Sequence, residues 1–229
     1  MPARKKEPKD LTAKKNLALE VIDRLKKEYP DAGCTLDYDH AWQLLVSVRL
    51  AAQCTDARVN IVVEDLFARY PSVAALAAAE PEDIEAIVKP CGLGHSKARD
   101  ISACMRMLRD KYNCQVPTTF EELLALPGVG RKSANLIMGD VFSKPAIVTD
   151  THCIRLCNKI GLVDGIKEPQ KVEMALWKII PPEEGSDLCH RFVMHGRAVC
   201  NARKPECEKC CLNDLCRYAR EQSGADTAQ

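Results

Sequence analysis

Apolar side chains recur along this chain at intervals of three and four residues, which is the spacing of one face of an α-helix. The pattern is clearest over 17–25, 42–50 and 59–67. It continues in a short helix that opens at Pro81 and stops near Gly92, and in the segments 96–112, 119–125, 132–142, 150–160, 169–180 and 186–197. No alternating segment or Asn-Gly turn indicates a strand or a hairpin. The pattern therefore predicts an all-α protein of about ten short helices.

Capping and helix-terminating residues between these segments predict where the helices begin and end. Asp39, Asp56, Ser96 and Asp150 are the expected helix starts, and Gly161 is an expected C-terminal stop. No linker rich in Pro, Gly and Ser interrupts the chain, so two domains, if present, are expected to pack closely. The basic N-terminal tail 1–12 and the C-terminal tail 218–229 are predicted to be disordered.

Composition places the chain among ordinary globular proteins, since 46% of its 229 residues are hydrophobic and 28% are charged. No apolar run approaches the roughly 18 residues that a membrane-spanning helix needs. The basic N-terminus is not followed by an apolar stretch, so it is not expected to be a secretory signal. A cytoplasmic protein is predicted, associated with the nucleoid if the source is bacterial.

A net charge of +1 excludes a globally basic nucleic-acid binder, but the charge is unevenly distributed. Segment 60–90 holds six acidic and two basic residues. Segment 128–159 holds five basic and two acidic residues, and segment 191–220 holds seven and three. If the two positive segments converge, they form a basic face suited to DNA. Charge alone favours the other interpretation, which is solvated helix surface.

Thirteen cysteines cannot all pair within one chain, and in a reducing compartment clustered cysteines indicate a metal site or catalysis. The strongest cluster spaces its cysteines by six, two and five residues, at Cys200, Cys207, Cys210 and Cys216. Four thiolates so placed can surround one centre, and either zinc or an iron–sulfur cluster fits. Spacing alone favours zinc, because four-cysteine zinc sites are common. Cys211 is interpreted as a spare thiol.

The string Leu-Pro-Gly-Val-Gly-Arg-Lys at 126–132 lies between two predicted helices. Two glycines permit a tight turn, and the helix N-terminus that follows offers N–H groups and a positive dipole end to a phosphate. We interpret 119–142 as a helix-hairpin-helix that binds the DNA backbone without reading bases. Its expected DNA-binding residues are Gly128, Val129, Gly130 and Arg131. An ordinary helix–helix turn is the alternative.

Lys132 and Asp150 are the candidate catalytic residues. Lys132 lies in the first turn of a helix, where the dipole disfavours a charged ammonium, as a nucleophilic amine requires. Contact with a phosphate is the alternative role. Asp150, in Val-Thr-Asp-Thr-His at 148–152, opens a helix, and capping is compatible with catalysis because it orients an ionised carboxylate. Eighteen residues separate the two, so the sequence alone does not bring them together.

Together these motifs resemble the endonuclease III family of DNA glycosylases in the helix-hairpin-helix superfamily. The resemblance runs from about residue 15 to 218 and rests on segments 50–56, 92–97, 126–132, 148–152 and 195–216. It implies a [4Fe-4S] cluster in place of zinc, and two packed helical domains with the active site in a cleft between them. A six-helix barrel would span 34–145, and a cluster domain would combine 13–33 with 146–217.

The resemblance also implies a function. It makes the chain a bifunctional glycosylase and abasic-site lyase of base excision repair, which removes oxidised pyrimidines from duplex DNA and cleaves the strand 3′ to the lesion. Lys132 matches the family's nucleophile, Asp150 its catalytic aspartate, and Gln53 and Leu93 the residues that fill the gap left by an extruded nucleotide. Cys91 and His95 depart from the family pattern. A monomer whose partner is damaged DNA, and not a membrane, is expected.

Two alternatives remain at this point. The first is a monofunctional mismatch glycosylase that uses the aspartate without the lysine; Lys132 argues against it, as do the 13 residues after Cys216, too few for a recognition domain. The second is a non-catalytic DNA-binding module with structural zinc, which would not need Lys132 and Asp150 together.

Overall fold

The computed structural model describes residues 9–223, and in that range it contains helices and no strand. The prediction of an all-α fold is therefore confirmed. The described part of the chain forms twelve α-helices, at α1 Lys9–Glu28, α2 Ala41–Leu50, α3 Asp56–Arg69, α4 Val73–Ala78, α5 Pro81–Val88, α6 Gly94–Tyr112, α7 Phe120–Ala125, α8 Arg131–Asp140, α9 Thr151–Ile160, α10 Pro169–Leu176, α11 Gly185–Ala198 and α12 Arg217–Gln222. Three short 3₁₀ helices lie at Lys89–Cys91, Pro182–Glu184 and Cys207–Lys209. Among the described residues no helix has the length and apolar character that crossing a membrane requires.

The chain divides into two compact units. The central unit is Cys34–Lys144 and contains α2 to α8; the terminal unit combines the residues before and after it and contains α1 and α9 to α12. The resemblance implied six helices for the barrel, and the central unit holds seven α-helices. The additional one, α4, has six residues, too few to show a helical period, and Ser72 caps it by accepting from the N–H of Ala75.

The central unit is organised around α6, which packs against α4 and α5. Its core is apolar, and the side chains of Leu44, Leu66, Ile84, Met105 and Leu108 are fully buried. Each large side chain so buried contributes roughly 1.5–3 kcal/mol relative to exposure. This core fixes the C-terminal end of α2 and the N-terminal end of α6, where the candidate DNA-contact residues lie.

The terminal unit joins the beginning of the chain to its end. Helix α1 packs against α11, and α9 packs against both α11 and α12. Fully buried side chains at this junction include those of Val21, Leu25, Leu156, Leu188 and Phe192. The cysteine segment follows α11, so these contacts anchor it to the rest of the unit.

Local capping explains where the helices begin. Asp150 caps α9 and Gly161 ends it with a φ of 102°, as predicted. Three starts differ from the prediction. Thr55, and not Asp56, caps α3 by accepting from the N–H of Arg58. His40, and not Asp39, precedes α2, because the Gln43 side chain turns back to accept from the His40 N–H at 2.8 Å. Helix α6 begins at Gly94, two residues before Ser96.

The predicted disorder of both tails is wrong where the structure describes them. Residues 9–12 lie inside α1, whose first turns are held by an ion pair between Lys14 and Asp164. Residues 218–222 lie inside α12, where Ala219 is buried and the Lys159 ammonium lies 4.0 Å from the Tyr218 ring centroid. The remaining tail residues, 1–8 and 224–229, lie outside the described range.

Candidate active site and DNA-contact elements

The hairpin string forms a closed turn between α7 and α8. Thr119 caps α7, and the N–H of Val129 donates to the carbonyl of Leu126 at 3.1 Å. Gly130 is the N-cap of α8, and its carbonyl accepts the first helical hydrogen bond, from Ala134, at 2.9 Å. The first N–H groups of α8 follow the turn directly. N–H groups in a first turn have no partner inside their own helix, so this element suits a phosphate.

The two glycines of the turn have different structural roles. Gly128 has a φ of +74°, and a Cβ there would lie 2.9 Å from Cβ of Asp100 and 3.1 Å from Cδ of Arg49. Both its backbone conformation and its neighbours therefore require glycine. Gly130 has a φ of −98°, and a Cβ there would meet nothing within 4 Å. The turn accordingly packs closely on the ion pair between Arg49 and Asp100, whose Nε and Oδ2 are 2.7 Å apart.

Val129 and Arg131 attach the turn to its surroundings. The half-buried Val129 side chain packs against the central core and lines a small cavity with residues of α2 and α6. The Arg131 guanidinium lies 4.9 Å from the ring centroid of Phe120, which links the first residues of α8 and α7 by a cation–π contact.

Lys132 is exposed in the first turn of α8. Its neighbour Ala134 is fully buried, so the helix presents one face to the core and the lysine to the outside. An amine on a helix end beside a turn that suits a phosphate is well placed to meet a nucleic-acid backbone or sugar. The structure thus keeps the predicted nucleophile accessible.

Gln53 and Leu93 share two unusual features. Both are exposed, Leu93 to 56%, and both adopt a left-handed backbone, with φ values of 58° and 52°. Left-handed conformations in residues other than glycine cost of order 1–3 kcal/mol and concentrate at functional sites. Each residue stands at the end of a helix of the central unit, Gln53 after α2 and Leu93 before α6. An exposed leucine held in a strained conformation is typical of a side chain that contacts a partner.

Asp150 belongs to the terminal unit, where it is the N-cap of α9. Its Oδ1 accepts from the N–H of Cys153 at 2.7 Å, and its own N–H donates to the carbonyl of Val148 at 3.1 Å. The side chain is half-buried. These bonds hold the carboxylate in one orientation at the positive end of a helix, where an anionic charge is favoured.

Arg155 connects α9 to the beginning of the cysteine segment. The Arg155 guanidinium donates to the carbonyls of Gly196 at 3.1 Å and Cys200 at 2.8 Å. A Cβ on Gly196 would lie 2.3 Å from Nδ1 of His152, so glycine is required for α11 to approach α9. The helix that carries Asp150 is therefore bound directly to the first cysteine of the predicted ligand set.

The four predicted ligand cysteines line one cavity. Its space, including the open mouth, is about 280 Å³, and its walls are mostly apolar. Cys211 is absent from its lining, which agrees with the interpretation of that thiol as a spare. The lining residues are Lys159, Val199, Cys200, Pro205, Glu206, Cys207, Cys210, Cys216, Tyr218 and Ala219.

The chemistry of this donor set fits a cationic centre. Burial raises the pKa values of the Cys200 and Cys216 thiols, so forming several thiolates here requires nearby positive charge, which metal ions supply. Among residues 9–223, no group of three or more His, Cys, Asp or Glu side chains has the arrangement needed to bind a single metal ion.

His195 contacts one of the four cysteines that line this cavity. Its ring is 2% exposed, with Nε2 at 3.3 Å from Sγ of Cys210 and Nδ1 at 3.0 Å from the Tyr29 hydroxyl. The sequence did not single out this contact, because Tyr29 and Cys210 are far apart in the chain. The chain is thereby joined from α1 through α11 to the third cysteine.

The chain matches a family model described as HhH-GPD superfamily base excision DNA repair protein, over residues 46–182. It is 43% identical over 211 residues to endonuclease III of Synechocystis sp., an alignment that covers 92% of this chain and 96% of that protein. Endonuclease III of Escherichia coli strain K12 is 38% identical over 200 residues, with 87% and 94% covered.

Solved structures give the same result. A trapped endonuclease III–DNA covalent intermediate superposes with a TM-score of 0.86 at 40% identity, covering 91% of this chain and 98% of that one. A thermostable thymine-DNA glycosylase superposes with a TM-score of 0.80 at 22% identity, covering 92% and 98%. The second likeness shows the fold alone.

Proposed function

The chain belongs to the HhH-GPD superfamily of base excision DNA repair proteins, and we propose that it acts there as a DNA glycosylase with an associated abasic-site lyase activity. The proposed substrates are oxidised pyrimidines in duplex DNA, bound by the chain as a monomer. The observation that carries the proposal is the exposed Lys132 in the first turn of α8, directly after the Gly-Val-Gly turn. The alignment with endonuclease III over most of the chain supports it.

We assign the first chemical step to Lys132. With the damaged nucleotide turned out of the duplex, the Lys132 amine attacks the sugar C1′. The bond from C1′ to the base breaks, and the base leaves with its electron pair and takes up a proton. Asp150 offsets the positive charge that develops on the sugar and accepts a proton from the attacking amine. Its N-cap hydrogen bond supports this role because it fixes the carboxylate in place.

The second step breaks the strand. Opening of the sugar leaves an iminium between Nζ of Lys132 and C1′, which acidifies the C2′ hydrogens. Loss of one C2′ proton expels the 3′ phosphate, and water then releases the amine. An amine nucleophile thus accounts for both base removal and cleavage on the 3′ side, and a carboxylate without the lysine accounts for base removal alone.

DNA is proposed to contact the central unit at three elements. The hairpin residues Gly128, Gly130 and Arg131 would hold a phosphate, with Val129 supporting the turn from below. Gln53 and Leu93 would occupy the space that an extruded nucleotide leaves, and their exposure and strained backbones support this role.

We further propose that Cys200, Cys207, Cys210 and Cys216 hold a [4Fe-4S] cluster. Four cysteines around one cavity support the assignment, as does the alignment with endonuclease III over 92% of this chain. A bound cluster would supply four iron–thiolate bonds that tie the segment from 200 to 216 into one structure. Two side chains hold the segment in addition: Arg155 donates to the Cys200 carbonyl, and His195 contacts Cys210.

Strand scission tests the proposed activity. We expect the protein to cleave a duplex that contains one oxidised pyrimidine, and Lys132→Ala to lose at least about 100-fold in rate. Lys111→Ala, which changes an exposed lysine on α6, is the matched control and should retain the wild-type rate. Base removal without strand cleavage, or activity on an adenine·oxoguanine pair instead, would favour the monofunctional alternative.

Metal analysis tests the proposed cluster. The purified protein should contain iron and acid-labile sulfide and absorb broadly in the visible range. Cys207→Ser should lose most of both, and Cys211→Ser should keep them, since Cys211 does not line the cavity. A colourless protein that contains zinc and no iron would instead support the DNA-binding module with structural zinc.

A further inference from the structure

Lys97 is a lysine whose side chain is completely buried. Lysines are almost never fully buried unless their charge is compensated, because removing an ammonium from water is costly. Here two backbone carbonyls provide the compensation: the Lys97 Nζ donates to the oxygen of Leu50 at 2.8 Å and to that of Cys91 at 2.8 Å. The side chain therefore joins two segments that are 41 residues apart in the sequence.

Both carbonyls end a helix. Leu50 is the last residue of α2, and Cys91 is the last residue of the 3₁₀ helix Lys89–Cys91. Carbonyls at helix C-terminal ends have no partner inside the helix and carry partial negative charge, so they are suitable acceptors for a cation. Lys97 satisfies one orphan carbonyl at each helix end with a single group.

A strained, exposed residue follows each of these helix ends. Gln53 follows Leu50 by three positions and Leu93 follows Cys91 by two, and both have positive φ. The N–H of Lys97 also donates to the carbonyl of Leu93 at 3.0 Å. One residue is thus hydrogen-bonded to the Leu93 carbonyl and to both segments that lead into Gln53 and Leu93.

The groups around the Lys97 amine are consistent with a structural role, in which the amine holds two backbone segments together. Burial lowers the pKa of Lys97, and its ionisable neighbours are the thiols of Cys54 and Cys91 and the Arg49 guanidinium. Arg49 is already bound to Asp100 and to the Ser96 hydroxyl. Since the ammonium has two carbonyl partners and no carboxylate partner among these groups, it holds backbone and not another side chain.

We infer that Lys97 is a positioning residue, which holds Gln53 and Leu93 in the conformations that insert into damaged duplex DNA. The inference rests on the proposed function, because it assumes that these two residues fill the space of an extruded nucleotide. Lys97 touches neither DNA nor the reacting sugar; it acts through the two loops. Loss of the Lys97 hydrogen bonds should therefore slow cleavage of duplex DNA but leave the reaction of the Lys132 amine unchanged.

Comparing duplex with single-stranded DNA tests the inference, since a single strand has no opposite base and no gap to fill. Lys97→Met keeps the length of the side chain and removes the donor. We expect it to lower the rate of cleavage at an abasic site in a duplex by about tenfold or more and to leave the rate on a single strand nearly unchanged. Lys111→Met, on the same helix and exposed, should leave both rates unchanged.

A double-mutant comparison identifies the route of the effect. If Lys97 acts through Leu93, then Lys97→Met should add little on duplex DNA once Leu93→Ala is present. Equal losses on both substrates by a folded Lys97→Met protein, or full additivity with Leu93→Ala, would overturn the inference. If Lys97→Met does not fold, Lys97→Gln, which keeps a shorter donor, is judged by the same two criteria. Failure of the wild-type protein to cleave any abasic DNA would instead refute the proposed function.

Discussion

At the scale of single residues, the same side chain can serve both the fold and the reaction. Asp150 is the N-cap of α9 and the proposed carboxylate of catalysis, and the hydrogen bond that its carboxylate accepts from the N–H of Cys153 meets both needs. An aspartate that caps a helix is commonplace, so the structural role alone does not indicate chemistry. The catalytic role depends on the surrounding Val-Thr-Asp-Thr-His string and on Lys132.

This dual role allows charge and fold to be separated by substitution. Asparagine caps a helix about as well as aspartate, so Asp150→Asn should keep the thermal unfolding midpoint near the wild-type value. It should slow base excision strongly, by about 100-fold, while duplex affinity stays the same, because the carboxylate is lost and the DNA-contact elements are not touched. Excision rate, affinity and midpoint are measured on one preparation.

Asp150→Ala is the comparison that isolates the cap. It should lose the excision rate and, in addition, about 1 kcal/mol of stability. A wild-type excision rate in Asp150→Asn would remove the carboxylate from the mechanism.

Motif signatures allow candidate site residues to be proposed from the sequence, but they do not reveal residues that act by burial. Lys132 and the four cysteines stand in strings whose spacing carries information. Lys97 stands in the segment 92–97 that contributes to the family resemblance, but nothing in the sequence indicates that its side chain is buried against two carbonyls. The role of a lysine at a given position depends on distant backbone, and a local pattern does not contain that information.

At the scale of elements, the helix-hairpin-helix shows how a turn is made rigid. Gly128 packs on the Arg49–Asp100 pair, so the turn is bound to the C-terminal end of α2 and to α6. Gln53 and Leu93 adjoin the same two helix ends. The three proposed DNA-contact elements therefore share one support inside the central unit.

The two glycines of the turn provide a matched pair of substitutions. Gly128→Ala should cost about 1–3 kcal/mol of stability and weaken duplex binding, because the new Cβ meets Asp100 and Arg49 at a positive φ. Gly130→Ala should fold like the wild type, because a Cβ there meets nothing within 4 Å. Urea unfolding and duplex titration measure the two effects. Equal unfolding midpoints for the two variants would contradict the packing argument.

Long periodic elements were predicted well, and short or locally capped ones were not. Helices such as α3 and α6 show enough turns to reveal an apolar face, whereas α4 has six residues and depends on Ser72 and the packing of α6. The starts of α2 and α3 were misplaced by one residue, because Gln43 and Thr55 compete successfully with the neighbouring aspartates for the capping role. Cap competition is decided by local geometry that composition does not reveal.

At the scale of the whole molecule, the charge pattern of the sequence overstates the basic surface. Segment 191–220 has a formal excess of positive charge, but Arg191, Lys209 and Arg217 each pair with an acidic residue within the chain. The exposed Lys209 agrees with the interpretation of part of this segment as solvated helix surface, whereas Arg191 is buried. Arg203 and Lys204 are exposed in the loop between Cys200 and Cys207, and no ion pair is shown for them among the described residues.

The whole chain also explains the odd number of cysteines. All thirteen are free thiols, four of them line one cavity, and others such as Cys153, Cys157 and Cys189 are buried core residues. Cysteine therefore serves here as a candidate metal ligand and as a small apolar side chain. The remaining predicted feature, a cleft between the two units that unites Lys132 with Asp150, stays a prediction.

The central claim is that Lys132 forms a covalent intermediate with the sugar of damaged DNA. Borohydride reduction of the protein mixed with an abasic duplex, followed by peptide mapping, tests it directly, because reduction converts the transient imine into a stable bond. We expect one protein–DNA adduct, located on Lys132, no adduct with Lys132→Ala, and a normal adduct with Lys111→Ala. An adduct on another residue, or undiminished trapping by Lys132→Ala, would contradict the account.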